Sequence, residues 1–268
     1  MPTLTTGDGV RLHYTDSGRG DVMLFIPGWS MSGNWWAEQR SHFEKSHRVI
    51  VVDPRAQGES EPVVWGHRLS RHAADLRDTI SALDLTGIVL IGWSRGSNVL
   101  LSYLELFGAE RIRGIVLSGF TPSLATRSDW SWGFNKPPQD FIASVAAGYP
   151  DVVKAMIPEM THQKLAPGTI ARLTEESLRT PALAAARMLE DHMNIDWRDI
   201  LPRIQLPVLI CAGEKDAQAP PASADAAAAL LPRATVVKFA ESGHCPFIEE
   251  PQKFNRAIED FLATLRPA

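Results

Sequence analysis

Short apolar runs recur along the chain at spacings that leave room for a helix between most of them. Runs of this length that are rich in Val, Ile and Leu are typical of strands covered on both faces, as in a parallel sheet. Residues 10–16 differ, because apolar and polar positions alternate there as in a half-buried edge hairpin. The predicted buried strands are residues 22–26, 49–52, 88–91, 115–117, 208–210 and 235–239.

Helical periodicity occupies several of the intervals between these runs. Residues 70–83, 94–107 and 251–265 each place apolar side chains on one face of a helix. Gly108 follows the second of these segments where a C-terminal cap is expected, and Pro251 opens the third. The alternation of strand and helix predicts an α/β fold with a mostly parallel sheet flanked by helices.

One long segment interrupts this alternation. Residues 122–195 contain no strand pattern, and we interpret them as a helical cap inserted after the sixth strand, with residues 1–121 and 196–268 forming the core domain. The helical patches in the cap are residues 141–147, 169–177 and 183–192. Its prolines are Pro137, Pro138, Pro150, Pro158, Pro167 and Pro181.

Composition and charge exclude several classes of function. The 268 residues are 44% apolar and 22% charged, with a net charge of −4 and no basic block, so nucleic acid is not an expected partner. The first residues do not resemble a signal peptide, and no apolar run approaches the ~20 residues of a membrane helix. Two cysteines make no disulfide framework. We therefore expect a cytoplasmic protein that does not bind a membrane; a homodimer is compatible with the sequence.

A serine in a G-x-S-x-G pattern follows one of the buried strands directly. Residues 92–96 read Gly-Trp-Ser-Arg-Gly and lie between the strand at 88–91 and the helix at 94–107. This strand–turn–helix context is the one in which a nucleophilic serine is exposed at a sheet edge, and glycines on either side let the backbone pass closely. The alternative is a glycine-rich helix start in which Ser94 is only the N-cap. We interpret Ser94 as a nucleophile.

A histidine follows the last predicted strand. His244 comes shortly after residues 235–239, in a loop at the carboxyl end of a strand, where ligands bind in open α/β sheets. A serine hydroxyl needs a base to take its proton, and His244 is placed to be that base. The other seven histidines fall in helical, polar-loop or edge-strand contexts, where a surface or structural role is the better interpretation.

An acid that orients the base is expected between the serine and the histidine in chain order. Asp216 follows the strand at 208–210 in the corresponding loop one strand earlier. Its carboxylate would hold the imidazole tautomer and stabilise the imidazolium. Glu214 is the local rival for this role.

Residues 92–96, 213–216 and 242–244, in this order, resemble the α/β-hydrolase superfamily over nearly the whole chain. Two further segments resemble loops of that superfamily: residues 25–30, after the strand at 22–26, and residues 52–60, after the strand at 49–52. Pro27 stands where a histidine is usual, and Ala56 stands where a glycine is usual. The resemblance implies the α/β-hydrolase fold, with an eight-stranded sheet and a cap after strand 6.

The same resemblance implies an oxyanion hole formed by the backbone N–H groups of Trp29 and Arg95. Ser94 stands where haloalkane dehalogenases and epoxide hydrolases have an aspartate, so acyl chemistry is favoured. We expect a carboxylic ester hydrolase that acts through an acyl-enzyme and uses no cofactor. No metal site is expected, because the motifs and ligand spacings of metal centres are missing from the sequence.

Three other functions stay open at this stage. The start of the chain and the Pro-Gly-Trp loop resemble the cofactor-free haloperoxidase, or perhydrolase, branch, although Arg95-Gly96-Ser97 departs from its usual Thr-Gly-Gly. The same triad also cleaves activated C–C bonds in relatives of this type. A non-catalytic small-molecule receptor is the alternative from a different class, and the intact Ser94, Asp216 and His244 argue against it.

Aromatic residues are concentrated near the predicted site. Eight tryptophans occur in the chain, and large rings give an apolar wall suited to acyl or aromatic groups. We therefore expect a small, uncharged, apolar or aromatic ester as substrate. Arg95 either meets a substrate carboxylate or points into the surroundings of its helix. The predicted pocket residues are Trp93, Phe120, Trp130 and Trp132.

Overall fold

The computed structural model describes residues 2–133 and 138–265. Its sheet has eight strands in the order β1-β2-β4-β3-β5-β6-β7-β8, in which β2 is antiparallel to its neighbours β1 and β4 and all other pairs are parallel. This confirms the predicted eight-stranded, mostly parallel sheet. The strands are β1 Thr3–Thr5, β2 Arg11–Ser17, β3 Val22–Ile26, β4 Arg48–Val52, β5 Ile88–Trp93, β6 Ile112–Ser118, β7 Val208–Gly213 and β8 Ala234–Phe239.

Helices connect the parallel strands and cover both faces of the sheet. The apolar stripes at 70–83, 94–107 and 251–265 form α2, α3 and α9, and Gly108 closes α3 with a positive φ of 75° and an N–H bonded to the Leu104 carbonyl. The helices are α1 Ala37–Phe43, α2 Leu69–Ala82, α3 Arg95–Phe107, α4 Pro138–Glu159, α5 Pro167–Ser177, α6 Ala182–Met193, α7 Pro221–Leu230, α8 Pro246–Glu249 and α9 Pro251–Thr264.

The core lies on both faces because successive side chains of a strand point to opposite sides. Phe25 and Ile91 pack on one face, in a cluster that includes residues of α1 and α9. Leu24 and Leu90 pack on the other face, against α2 and α3. The parallel strands are therefore apolar at nearly every position, which is the signal that the sequence carries.

The cap contributes α4, α5 and α6 between β6 and β7, as the fold prediction states. Its apolar residues Val145, Leu173 and Met188 join the core cluster that contains Phe25. Residues 134–137, which include Pro137, lie outside the described residues. The division into a core domain and a cap domain at residues 122 and 195 stays a prediction.

Candidate active site

Ser94 lies at the junction of β5 and α3 in a strained backbone conformation. Its φ of 54° and ψ of −121° are in a sparsely populated region for a residue with a side chain, where the cost is about 1–3 kcal/mol. Ser94 occupies the N-cap position of α3, but its side chain makes no cap hydrogen bond. The residue is half-buried. Its hydroxyl therefore lies at a sharp, partly exposed turn and is not used to cap the helix.

The two glycines of the G-x-S-x-G pattern allow the sharp turn. A Cβ on Gly92 would come within 2.6 Å of the Ser97 backbone nitrogen, which belongs to the first turn of α3. A Cβ on Gly96 would meet the backbone carbonyls of Ile26 and Pro27. Side chains at either position would push α3 away from β5 or from the loop after β3, so both positions need glycine.

His244 and Asp216 meet at the same edge of the sheet. Nδ1 of His244 lies 2.8 Å from Oδ2 of Asp216, and both residues are buried. The other carboxylate oxygen, Oδ1, accepts the backbone N–H groups of Gln218 and Ala219 at 2.8 and 2.9 Å, which fixes the orientation of the carboxylate. Nε2 of His244 has no hydrogen-bond partner among the described residues. The rival acid Glu214 is exposed.

Gly119 lies between the turn that carries Ser94 and the imidazole of His244. The backbone N–H of Ser94 donates to the Ser118 carbonyl at 2.8 Å, and Gly119 is the next residue. A Cβ on Gly119 would lie 2.9 Å from Cε1 of His244 and 3.0 Å from its Nδ1. The imidazole therefore lies against the backbone of Gly119, the residue that follows Ser118. The structure joins His244 to Asp216 directly, and the participation of Ser94 in a triad with them stays a prediction.

Replacing Gly119 with alanine should lower kcat/KM for a short ester about 100-fold, since its Cβ would displace the His244 ring and a shift of about 1 Å costs roughly that factor. Gly119 also has a φ of 53°, so the variant should lose about 1–2 kcal/mol of unfolding free energy. Steady-state kinetics and chemical denaturation measure both effects.

Gly108→Ala is the matched control for this substitution. Gly108 has a φ of 75°, but a Cβ there would meet nothing within 4 Å. It should lose a similar unfolding free energy and keep its activity. Equal kcat/KM values in the two variants would show that a side chain at residue 119 does not disturb the function of the His244 imidazole.

The loop after β3 passes directly over Ser94. A Cβ on Gly28 would lie 3.3 Å from the Ser94 Cβ, and Trp29 is the next residue. Among the described residues, the backbone N–H groups of Trp29 and Arg95 donate to no protein acceptor. Trp29 and Arg95 therefore adjoin the serine turn, and their role as oxyanion-hole donors stays a prediction.

Gln57 braces this loop, a role that the sequence analysis did not find. Its Nε2 donates to the carbonyls of Gly28 and Met31 at 3.1 and 2.6 Å, and its Oε1 accepts the Ser30 N–H at 3.2 Å. These bonds hold the loop although Pro27 supplies no histidine side chain. Gln57 lies in the 52–60 stretch that resembles the superfamily, which is the signal that could have indicated it.

The cap is bonded to the loops on both sides of Ser94. The Trp29 indole donates to the Ala185 carbonyl in α6 at 2.8 Å. On the other side, the backbone N–H of His244 donates at 2.7 Å to the carbonyl of Met160, the residue that follows α4. Glu249, also missed in the sequence, accepts the backbone N–H groups of Gly243 and His162 at 2.8 and 2.6 Å. The cap therefore contacts the histidine loop as well as the loop after β3.

The aromatic residues predicted to line the pocket differ in exposure. The Trp93 ring is buried, with its centroid 5.0 Å from that of Trp35, and its indole donates to the His244 carbonyl at 2.9 Å. Trp93 therefore supports the loop that carries His244 through this hydrogen bond. Phe120 and Trp130 are also buried, whereas Trp132 keeps a partly exposed ring beside Trp130. Their role as pocket walls stays a prediction.

The Arg95 side chain points into the protein among three histidines. One terminal nitrogen donates to the His67 carbonyl at 2.8 Å, and the other lies 3.3 Å from Nδ1 of His72. Burial lowers the pKa of Arg95 to about 10 and the pKa of His67 to about 4. Burial also lowers the pKa of His192, on α6, to about 3. Arg95 therefore carries the charge at pH 7, and His67 and His192 are neutral.

Over residues 2–133 and 138–265, no group of three or more His, Cys, Asp or Glu side chains is arranged to hold a metal ion. In the same ranges, no helix has both the length and the apolar character needed to cross a bilayer.

The profile of the family described as alpha/beta hydrolase fold matches residues 21–251. The chain belongs to this family, in agreement with its sheet order and its serine turn. The resemblance seen in the sequence and the fold expected from it are confirmed, and so is the expectation that the protein is an enzyme of the hydrolase class.

Similar proteins cover nearly the full chain at modest identity. A non-heme chloroperoxidase, CPO-A1, from Kitasatospora aureofaciens is 26% identical over 98% of this chain and 99% of its own length. A pimeloyl-acyl-carrier-protein methyl ester esterase from Nitrosomonas europaea is 28% identical over 91% and 96%. An esterase from Exiguobacterium antarcticum superposes with a TM-score of 0.94, at 24% identity over 98% of this chain and 99% of that chain. This last likeness concerns the fold alone.

Proposed function

We propose that this protein is a serine hydrolase that cleaves small carboxylic esters, with Ser94 as nucleophile, His244 as base and Asp216 as the acid that orients the base. One observation carries the proposal: a strained serine with an uncapped hydroxyl lies at the same sheet edge as a histidine bonded to a buried carboxylate. The unpartnered Nε2 of His244 is the atom that would take the serine proton.

In the proposed reaction, Oγ of Ser94 attacks the ester carbonyl carbon while Nε2 of His244 takes the hydroxyl proton. The backbone N–H groups of Trp29 and Arg95 donate to the oxyanion of the tetrahedral intermediate. His244 then protonates the departing alcohol, which leaves an acyl-enzyme. Water, deprotonated by His244, attacks the acyl carbon and releases the acid. Asp216 holds the Nδ1–H tautomer throughout.

The proposed substrate is small, because the cap is tied to the loops on both sides of Ser94. The half-buried Trp132 and the buried Trp130 at the start of the cap support an apolar or aromatic portion of the ester. The chain's similarity to a methyl ester esterase supports the same class of bond.

A fluorophosphonate probe tests this proposal, because such probes form covalent adducts only with activated serines. We expect one adduct per chain, on the tryptic peptide that contains Ser94, and parallel loss of hydrolysis of 4-nitrophenyl acetate. The His244→Gln protein should label far more slowly. An adduct-free protein, or an adduct on another serine, would refute the assignment and favour a receptor.

Perhydrolysis is the second candidate, because a relative covering 98% of this chain is a non-heme chloroperoxidase. Hydrogen peroxide would replace water in attack on the acyl-enzyme, releasing a peroxyacid and restoring the Ser94 hydroxyl. The two reactions share the acyl-enzyme, so competition between peroxide and water during turnover of one acetate ester separates them. Peroxyacid formed in excess of acetic acid at millimolar peroxide would favour perhydrolysis.

A further inference from the structure

We propose that Arg95 and His192 form an anion subsite beside Ser94, so that the favoured substrate is a short ester that carries a carboxylate. This inference rests on the proposed function, since it names the substrate class of the same site. It revises the uncharged substrate that the aromatic content of the sequence favoured.

Arg95 is a buried cation without a hydrogen-bonded anion. Only 2% of the residue is exposed, and its protein contacts are the neutral His67 carbonyl and His72 ring. Its Nε has no hydrogen-bond partner among the described residues. Burying a guanidinium without an anion costs desolvation free energy that no ion pair offsets. The planar guanidinium can bind both oxygens of a carboxylate.

Neighbouring charged groups do not supply that anion. Asp191 on α6 is the carboxylate in electrostatic reach of Arg95, but its Oδ2 accepts the Leu69 backbone N–H at 2.7 Å, at the start of α2. Arg55 and Arg71 nearby are themselves paired with Asp75. The carboxylates around the cluster are therefore engaged elsewhere.

His192 connects this cluster with the proposed base. It lies on cap helix α6, is buried, and is within electrostatic reach of both Arg95 and His244. Its side chain makes no hydrogen bond with another described residue, so a ring N–H is free to donate to a ligand. The proposed subsite thus takes Arg95 from the core and His192 from the cap.

The covalent chain limits the distance from the ester to the anion. Ser94 and Arg95 are consecutive, so their Cα atoms are about 3.8 Å apart. The Arg95 guanidinium therefore lies within one side-chain length of the Ser94 backbone, which limits how far a bound carboxylate would be from the attacked carbonyl. His67 and Asp191, which interact with Arg95, also line a groove of about 660 Å³ whose other lining residues include Arg68 and Arg187.

Two isosteric esters test the proposal: monoethyl succinate carries a carboxylate where ethyl succinamate carries a neutral amide. The ratio of their kcat/KM values cancels effects on the oxyanion hole, because both substrates share the same ester. We expect a ratio of roughly 100 in the wild type, as for a buried charge pair, and a fall to about 1 in Arg95→Met, where one partner of the pair is removed. Arg95→Lys should keep part of the preference.

Arg77→Met is the matched control, since Arg77 is an exposed arginine on α2 that contacts Asp78 and the Phe107 ring. It should keep the wild-type ratio. A purely structural role for Arg95 would lower both kcat/KM values together and leave the ratio unchanged, and that result would overturn the proposal.

Binding to the Ser94→Ala protein keeps the inference testable even without turnover. Calorimetry should give a Kd for monoethyl succinate at least 10-fold below that for ethyl succinamate, and this difference should vanish in Ser94→Ala/Arg95→Met. Equal affinities would overturn the anion subsite. Fluorophosphonate labelling of wild-type Ser94 reports separately on the proposed hydrolase, so either proposal can fail alone.

Discussion

Ser94→Ala will lower kcat for a short 4-nitrophenyl ester by roughly 10⁴–10⁶-fold, which is the effect of removing the nucleophile from a serine triad. The folded state should be nearly unaffected. An N-cap serine usually contributes about 1 kcal/mol through its side-chain bond, but the Ser94 hydroxyl makes no such bond here. Alanine keeps the same unfavourable φ of 54°, so strain does not change. The unfolding free energy should therefore change by less than about 0.5 kcal/mol.

Ser102→Ala is the control for this prediction. Ser102 is a buried serine on α3, about two turns after Ser94, and its substitution should leave kcat within about twofold. Kinetics are measured with active-site titration to exclude traces of wild-type enzyme. A Ser94→Ala protein that retained a tenth of the wild-type kcat would remove Ser94 from the mechanism.

Asp216→Asn will lower kcat at neutral pH by roughly 10⁴-fold, although the shape of the side chain is preserved. The structure shows why. Oδ1 accepts two backbone N–H groups, from Gln218 and Ala219, so the asparagine oxygen must take that position. The amide nitrogen then occupies the place of Oδ2 and donates to Nδ1 of His244. The ring is forced into the tautomer with its proton on Nε2, which cannot accept the Ser94 proton.

Glu214→Gln is the matched control for Asp216→Asn. Glu214 lies two residues away in the same loop, but its side chain is exposed. Its substitution should leave kcat within about twofold. Nitrogen-15 NMR of the histidine rings should report the changed tautomer of His244 in Asp216→Asn. If the two variants were equally active, the His244–Asp216 bond would have no catalytic importance.

The sequence predicted the elements because their signals are local. Runs such as 88–91 and stripes such as 70–83 record which faces are buried, and the structure has β5 and α2 there. The short helices α1 and α8 were not predicted, because helices of 7 and 4 residues leave too few turns for a periodic pattern.

The order of the motifs also placed three candidate side chains at one sheet edge, because the carboxyl ends of parallel strands share an edge. Asp216 and Glu214 lie in the same loop, so the strand order alone does not distinguish them. In the structure, the Asp216 carboxylate lies 2.8 Å from Nδ1 of His244. The resemblance of residues 52–60 to the superfamily draws attention to the stretch that contains Gln57, but it does not indicate which residues Gln57 contacts, since its partners Gly28 and Met31 are 29 and 26 positions away.

The sequence by itself determined the sheet, the cap after β6 and the chain order of serine, acid and histidine, because periodicity and turn chemistry act between near neighbours. Only the tertiary structure decided that the Arg95 side chain is buried among His67, His72 and His192, and that Trp93 supports the histidine loop. These contacts join residues from separate helices and strands. Which of them meet depends on how the elements pack, and no local pattern encodes that.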